Sequence, residues 1–448
     1  MEIIKRIYNA VMLKNSSGTV INPATEETLS SVDTKLTTID TTLTDGTQKT
    51  QITSFPTDSP NFDSFDRLRV SNPTTLFDSK QLWDNAPLFW DDSEVSGSGT
   101  TSSHSTDTAS TTIGVALSTA GKRVRQTYQC FNYQPGKSQL IIMTFVTDLS
   151  GGGAGVVREI GIGEDNNGLF LQDDEGTYKF VRRTSTSGSA VDSDVSQTNW
   201  NIDTLDGAGS SGITIDFTKT QIMVIDFEWL GVGRVRLGFV FDGIIVYAHE
   251  FLNANNLSEV YMSSPNLPLR LSIENTGAGA ASTLSHICST VISEGGATKT
   301  GALRHKDSGS ISSLSSGTTY AVIGIRLKST HIDAAVLIES LSMISTSQND
   351  QAHWELYINP TVAGTFTYSD MTNSSIQTAT GSSSNTITNG TELDGGFFET
   401  SAPTTTVTPN AIRIGAAIDG TVDTLVLTVK PITNNITIQG SMTWRELS

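Results

Sequence analysis

Gln221-Ile-Met-Val-Ile-Asp-Phe-Glu-Trp229, Arg234-Val-Arg-Leu-Gly-Phe-Val-Phe241 and Ile244-Ile-Val-Tyr-Ala-His-Glu250 follow one another with short breaks, the second being Asp242-Gly243. Large apolar side chains recur at alternate positions, the period of a strand with one buried face. Asp-Gly suits a two-residue hairpin, because both central residues of that turn need positive φ. The triplet therefore reads as three consecutive antiparallel strands.

Similar runs spread outward from it. Gln139–Thr147, Gly168–Gln172, Thr177–Arg182 and Leu269–Ile273 alternate in the same way, with Asp173-Asp-Glu-Gly176 as a second hairpin turn. A further block begins after Gly295-Gly296 and includes Thr319–Leu327, Ala334–Ile344, Trp354–Ile358, Gly364–Tyr368, Ala411–Ile414, Thr424–Val429 and Ile436–Arg445. Regular short strands with such turns predict a mainly β protein with two β-sandwich (jelly-roll-like) domains, at 93–298 and 299–448. The Ser/Thr-rich stretches 93–112 and 373–391 are nearly free of apolar side chains and read as long loops.

The first 50 residues have a different pattern. Met1–Val11 is compatible with an amphipathic helix carrying Ile3, Ile4, Ile7 and Val11 on one side. The pieces Ala10–Leu13 and Thr19–Ile21 around Asn15-Ser-Ser-Gly18 instead fit a small hairpin. In either form Ile3, Ile4, Ile7, Val11 and Leu13 make an apolar patch that needs cover, and they are the expected anchor. Asn22-Pro23 then opens a helix over 23–45, closed by Gly46. Its apolar residues Leu29, Val32, Leu36, Ile39 and Leu43 are spaced three and four apart, a short coiled-coil seam. Leu at a with β-branched residues at d moves preference from dimers toward trimers or tetramers, so a homotrimer is predicted. Residues 51–92 read as an extended connector whose phenylalanines dock on a folded surface.

Composition limits the function. The 448 residues carry 28 Lys+Arg against 46 Asp+Glu, a net charge of -18, which disfavours nucleic-acid backbones and anionic membranes. Apolar runs are too short for a membrane span, so no membrane insertion is expected. The N-terminus has no signal-peptide pattern, and Cys130 and Cys288 read as buried free thiols of a protein made in a reducing compartment.

Chemistry-bearing patterns are sparse. In Val224-Ile-Asp-Phe-Glu-Trp229, Asp226 and Glu228 resemble part of the E-x-D-x-E strand of concanavalin-like glycoside hydrolases. Retaining hydrolysis needs paired carboxyls, and Val224 stands where the first is required. A strand face that is either solvated or salt-bridged, with Arg234 or Arg236 as the partner, is the expectation. The six histidines lack H-x-H or H-E-x-x-H spacing, and the acidic turns 164–168 and 173–176 lack a regular Ca²⁺-loop order. No catalytic residue, resident metal or cofactor is expected.

Phe62-Asp-Ser-Phe-Asp-Arg-Leu-Arg-Val-Ser-Asn-Pro-Thr-Thr-Leu-Phe-Asp-Ser-Lys80, continued by Pro87-Leu-Phe-Trp-Asp-Asp92, resembles a recurrent stretch in structural proteins of tailed bacteriophages. Thr220–Phe251 and Val20-Ile-Asn-Pro-Ala-Thr-Glu26 are similar to the same proteins. The resemblance covers most of the chain to about residue 300. It implies a non-enzymatic virion component assembled in host cytoplasm: a fibre, capsid-decoration or tail protein in contact with other virion proteins. The whole reading is a homotrimer attached through its N-terminus, with the sandwiches outward. The alternative is a host-attachment adhesin for a surface glycan, and behind it a polysaccharide depolymerase.

Overall fold

Met223, Ile225 and Phe227 lie fully buried on one face of the strand Gln221–Phe227, while Val224 and Asp226 occupy the other. That strand pairs antiparallel with Gln139–Thr147 on one side and Val235–Phe241 on the other, placing Met223 opposite both Met143 and Phe239. The computed structural model describes residues 62–64, 72–147, 153–346, 349–399, 404–406, 413–433 and 435–447, together with Thr34. The anchor residues Ile3, Ile4, Ile7, Val11 and Leu13 and the seam residues Leu29, Val32, Leu36, Ile39 and Leu43 lie outside the described residues. Thr57–Ser448 forms one compact unit, distinct from Met1–Pro56.

Within the larger unit the described strands form two facing pairs of sheets. The first pair is an eight-stranded sheet, running from Ile244–Phe251 at one edge to Thr100–Ser105, and a seven-stranded sheet. The latter runs Val191–Ser196, Thr177–Thr184, Gly168–Asp174, Val156–Gly163, Leu269–Asn275, Gly121–Thr127, Trp90–Gly97. One core joins them, with Phe145, Ile225 and Leu284 from one sheet and Ile160, Leu171 and Ile273 from the other. The second pair is a five-stranded and a six-stranded sheet closed over Ile325, Leu341, Leu427 and Trp444. The chain is thus mainly β, with both expected hairpins present: Phe241 pairs with Ile244 and Asp174 with Thr177. At the first turn Asp242 and Gly243 have φ of 50° and 82°, as the Asp-Gly reading requires.

Three boundaries differ from the sequence reading. Thr74–Lys80, expected in the connector, pairs with Ser282–Ser293 and sends Phe77 into the core between Phe89, Trp90 and Phe131. The stretch 93–112 is not a loop: it lies in Trp90–Gly97, Thr100–Ser105 and Ser110–Val115. These are edge or near-edge strands. Backbone pairing builds them, so their Ser and Thr side chains carry no apolar alternation. In 373–391, Ile376–Thr380 and the short Ile387–Thr388 are likewise strands, with Ile376 and Ala379 buried.

The first sandwich is also fastened by charge. Arg158, on Val156–Gly163, contacts Asp173 at 2.5 Å and reaches across the core to Ser282 Oγ at 2.6 Å and the Thr283 carbonyl at 3.1 Å. Arg125 donates to Gln81 Oε1 at 2.9 Å and lies 4.9 Å over the Trp90 ring. Burial lowers the Arg125 pKa to about 10, against the opposing charge of Asp92. Cys130 and Cys288 are free and half-buried rather than buried.

Candidate functional site

The stretch Val224–Trp229, which begins in the strand Gln221–Phe227, carries the most suggestive sequence pattern, and its carboxylates are engaged. Asp226 is fully buried and accepts from Arg236 at 2.6 Å, the Tyr247 hydroxyl at 2.9 Å and Ser64 Oγ at 2.9 Å. Arg236 also donates to the Phe62 carbonyl at 2.5 Å, and Arg234 to that of Asp63 at 3.2 Å. Glu228 Oε1 accepts the Arg234 amide at 3.0 Å. This arrangement latches Phe62–Ser64 onto the outer face of the eight-stranded sheet, where Phe62 is 5% exposed. A carboxylate whose two oxygens already accept from a guanidinium and two hydroxyls is held in place by them, and is poorly set to attack a sugar. The expected docking of the connector and the Arg236 pairing are both present here.

The opposite side of the first sandwich is different in kind. On Gly168–Asp174, Leu169 and Leu171 face the core, so Phe170 and Gln172 face outward; the same alternation turns Glu159, Arg270 and Ser272 outward. With Arg183 on Thr177–Thr184, the polar ones form a largely buried array across four neighbouring strands, Glu159, Arg270 and Ser272 each being under 5% exposed. Glu159 accepts from Arg183 at 2.7 Å and Gln172 at 3.0 Å, with Ser272 at 3.4 Å. Arg183 lies 5.1 Å over the Phe170 ring and also clamps Asp192 at 2.7 and 2.9 Å. Burial alone would lower the Arg183 pKa, but Asp192 and Glu159 more than offset it and the net shift is upward. Arg270 bridges Gln126 at 3.1 Å and Asp165 at 2.6 Å.

At one end the array opens into a cleft of about 800 Å³ lined by Asp91, Glu94, Lys122, Asp165, Arg270 and Asp419. A neighbouring cleft of about 390 Å³ shares Asp165 and Arg270. The second sandwich supplies the far wall. The Ile418 amide donates to Asp91 Oδ2 at 2.8 Å and the Ala416 amide to the Tyr128 carbonyl at 2.9 Å. Gly415 permits this approach, since a Cβ there would sit 2.0 Å from the Tyr128 oxygen. Burial, with a smaller contribution from Asp91, raises the Asp423 pKa behind that wall.

The accessible part of this face is the cleft, where Glu94, Asp165 and Asp419 stand exposed, polar groups of the kind that recognise a polyhydroxylated ligand. Sequence reasoning missed it. Its members sit at 126, 159, 165, 172, 183, 270 and 272, which no local motif connects. The available signal was Gln172, Arg270 and Ser272 standing beside Leu or Ile in strands already recognised, whereas Gln126 and Glu159 lie in Gly121–Thr127 and Val156–Gly163, outside the strands read from the sequence. Among the tryptophans that could stack on a sugar ring, Trp200 and Trp354 are core residues, while Trp83 is exposed.

No family model matches the chain, and no curated protein matches it. Among solved structures, it is similar to the carbohydrate recognition domain of Emp47p at 11% identity, covering 48% of this chain and 95% of that one, with a TM-score of 0.30. It is similar to the CBM2 module of the evolved Dit of Lactobacillus casei BL23 phage J-1 at 9% identity, covering 49% and 95%, with a TM-score of 0.32. A third is the carbohydrate esterase vb_24B_21 from the Shiga toxin-encoding bacteriophage phi24B, at 11% identity over 50% and 99%, with a TM-score of 0.29.

Proposed function

We propose that this chain is a non-catalytic structural component of a tailed bacteriophage particle whose first sandwich binds a host-surface glycan. The observation that carries the glycan part is the cleft lined by Asp91, Glu94, Lys122, Asp165, Arg270 and Asp419, beside the Glu159–Gln172–Arg183–Ser272 array. Sugar hydroxyls both donate and accept, and this cleft presents carboxylates, an ammonium and a guanidinium group. The virion part is supported by the stretch 62–80, which in this chain supplies the latch at Phe62–Ser64 and the core residue Phe77. A homotrimer through the 29–43 seam, held to neighbouring virion proteins by the N-terminal apolar residues, completes the reading. The non-catalytic part is supported by Asp226, whose oxygens are engaged by Arg236, Tyr247 and Ser64.

A glycan array probed with the full chain tests the binding. The expected result is a restricted set of host-type glycans whose affinity falls about tenfold in Asp165→Ala, the loss of roughly one charge-assisted hydrogen bond. An array without hits, from protein that is recovered in purified particles, would leave a purely architectural component. Release of reducing sugar abolished by Glu228→Gln would establish the depolymerase reading instead.

A further inference from the structure

The second sandwich has its own chemistry-bearing cluster, on the outer face of the six-stranded sheet. On Gln351–Ile358 the residues Ala352, Trp354 and Leu356 enter the core, so His353 and Glu355 stand on the opposite face. The neighbouring edge strand Thr391–Glu399 brings Glu392 to the same place: Tyr357 pairs with Glu392 and Glu355 with Gly395. One ligating atom from each of His353, Glu355 and Glu392 lies within 4.8 Å of the others.

Two further observations point to an occupant. Glu355 is 6% exposed and turns one oxygen to His353 Nδ1 at 2.9 Å, while Oε2 is buried without a hydrogen-bond partner among the described residues. An anionic oxygen in that position is costly unless a cation or donor meets it. Secondly, Gly395 leaves a space that a side chain would close: a Cβ there would lie 3.2 Å from His353 Nε2 and 3.3 Å from Glu392 Oε1. Phe397 stacks on the His353 ring at 4.6 Å and holds its plane.

We infer that His353, Glu355 and Glu392 bind a divalent transition-metal ion of the zinc type. One imidazole and two carboxylates match that class, whereas Ca²⁺ takes about six to eight oxygen ligands and Mg²⁺ retains most of its waters. Three protein ligands leave a coordination position open to water or to a ligand from outside. The inference is independent of the glycan reading, because the cluster belongs to the other sandwich.

The test uses the full chain stripped with chelator, titrated with ZnCl₂, CaCl₂ or MgCl₂ by calorimetry, with metal content measured after dialysis. The expected result is one zinc per chain, with no comparable calcium or magnesium binding. Glu392→Gln, an exposed change that leaves the fold intact, is expected to weaken zinc binding at least about tenfold, and His353→Gln more. Gly395→Ala, which fills the space without removing a ligand, is expected to weaken it as well. His331→Gln, at an exposed histidine elsewhere, leaves binding unchanged. Less than half an equivalent of zinc, or zinc binding that survives Glu392→Gln, Gly395→Ala and His353→Gln, would overturn the assignment.

Discussion

The two sandwiches share an architecture and differ in what crosses their interiors. In the first, Arg125 and Arg158 are fully buried, and Arg158 ties Asp173 on its own sheet to Ser282 and Thr283 on the other. In the second, Ile325, Leu341, Leu427, Met442 and Trp444 meet with no comparable guanidinium among the described residues. An apolar interior gains stability roughly in proportion to buried area and tolerates reshaping. A buried ion pair contributes less net stability, but it penalises any arrangement that parts its members. The first sandwich therefore has its sheet-to-sheet registration enforced by polar contacts, beside the outer face that carries the candidate binding array.

The strongest way to break this contrast is Asp173→Ala. It leaves Arg158 charged and buried, at a cost of about 3 to 5 kcal/mol. Calorimetry should show the melting of the first sandwich falling by roughly 10 °C, with that of the second moving much less. Replacing both partners, as in Arg158→Met with Asp173→Leu, should recover most of the loss. Equal shifts in both transitions would mean that the two sandwiches unfold as one.

Leu427→Ala is the converse probe. Leu427 is 1% exposed in the second core, and truncation there should cost about 3 kcal/mol through lost burial and a residual cavity. The second transition should carry the loss, and no compensating second substitution of charge should rescue it.

Acid sharpens the comparison with a smaller effect. Burial lowers the His249 pKa to about 4, and His286 is pushed down by burial first and then by the Arg125 charge. Both belong to the first sandwich and are neutral when folded. The unfolded chain binds more protons between about pH 6.5 and pH 4, so the stability of the first sandwich is complete above about 6.5 and declines as pH falls through that window. The first transition should drop by a few degrees from pH 7 to 5 relative to the second, and His249→Gln should flatten part of the difference.

The two readings of 93–112 show where local pattern stops informing. The stretch has almost no apolar residue before Ile113, yet it supplies parts of three strands, because a strand can be defined by its neighbours' hydrogen bonds alone. Gln81 illustrates the same limit. It is fully buried because Arg125, Thr111 and Ser79 converge on it from separate strands. Conversely, Arg234 and Arg236 were recognisable as candidate partners for the Asp226–Glu228 face because they sit on the adjacent strand of one legible hairpin series, and the structure pairs Arg236 with Asp226.

By itself the sequence determined the β class, the alternating core faces and the turns at Asp173–Gly176 and Asp242-Gly243, since each depends on side-chain period or on φ preferences within a few residues. Tertiary structure alone decided the latch at Phe62–Ser64, the Glu159–Arg183–Ser272 array, the cleft wall at Gly415–Ile418 and the meeting of His353 with Glu392. Each of these joins residues from strands far apart in the chain. Their proximity follows from sheet register and from how the cores close, which individual side chains do not encode.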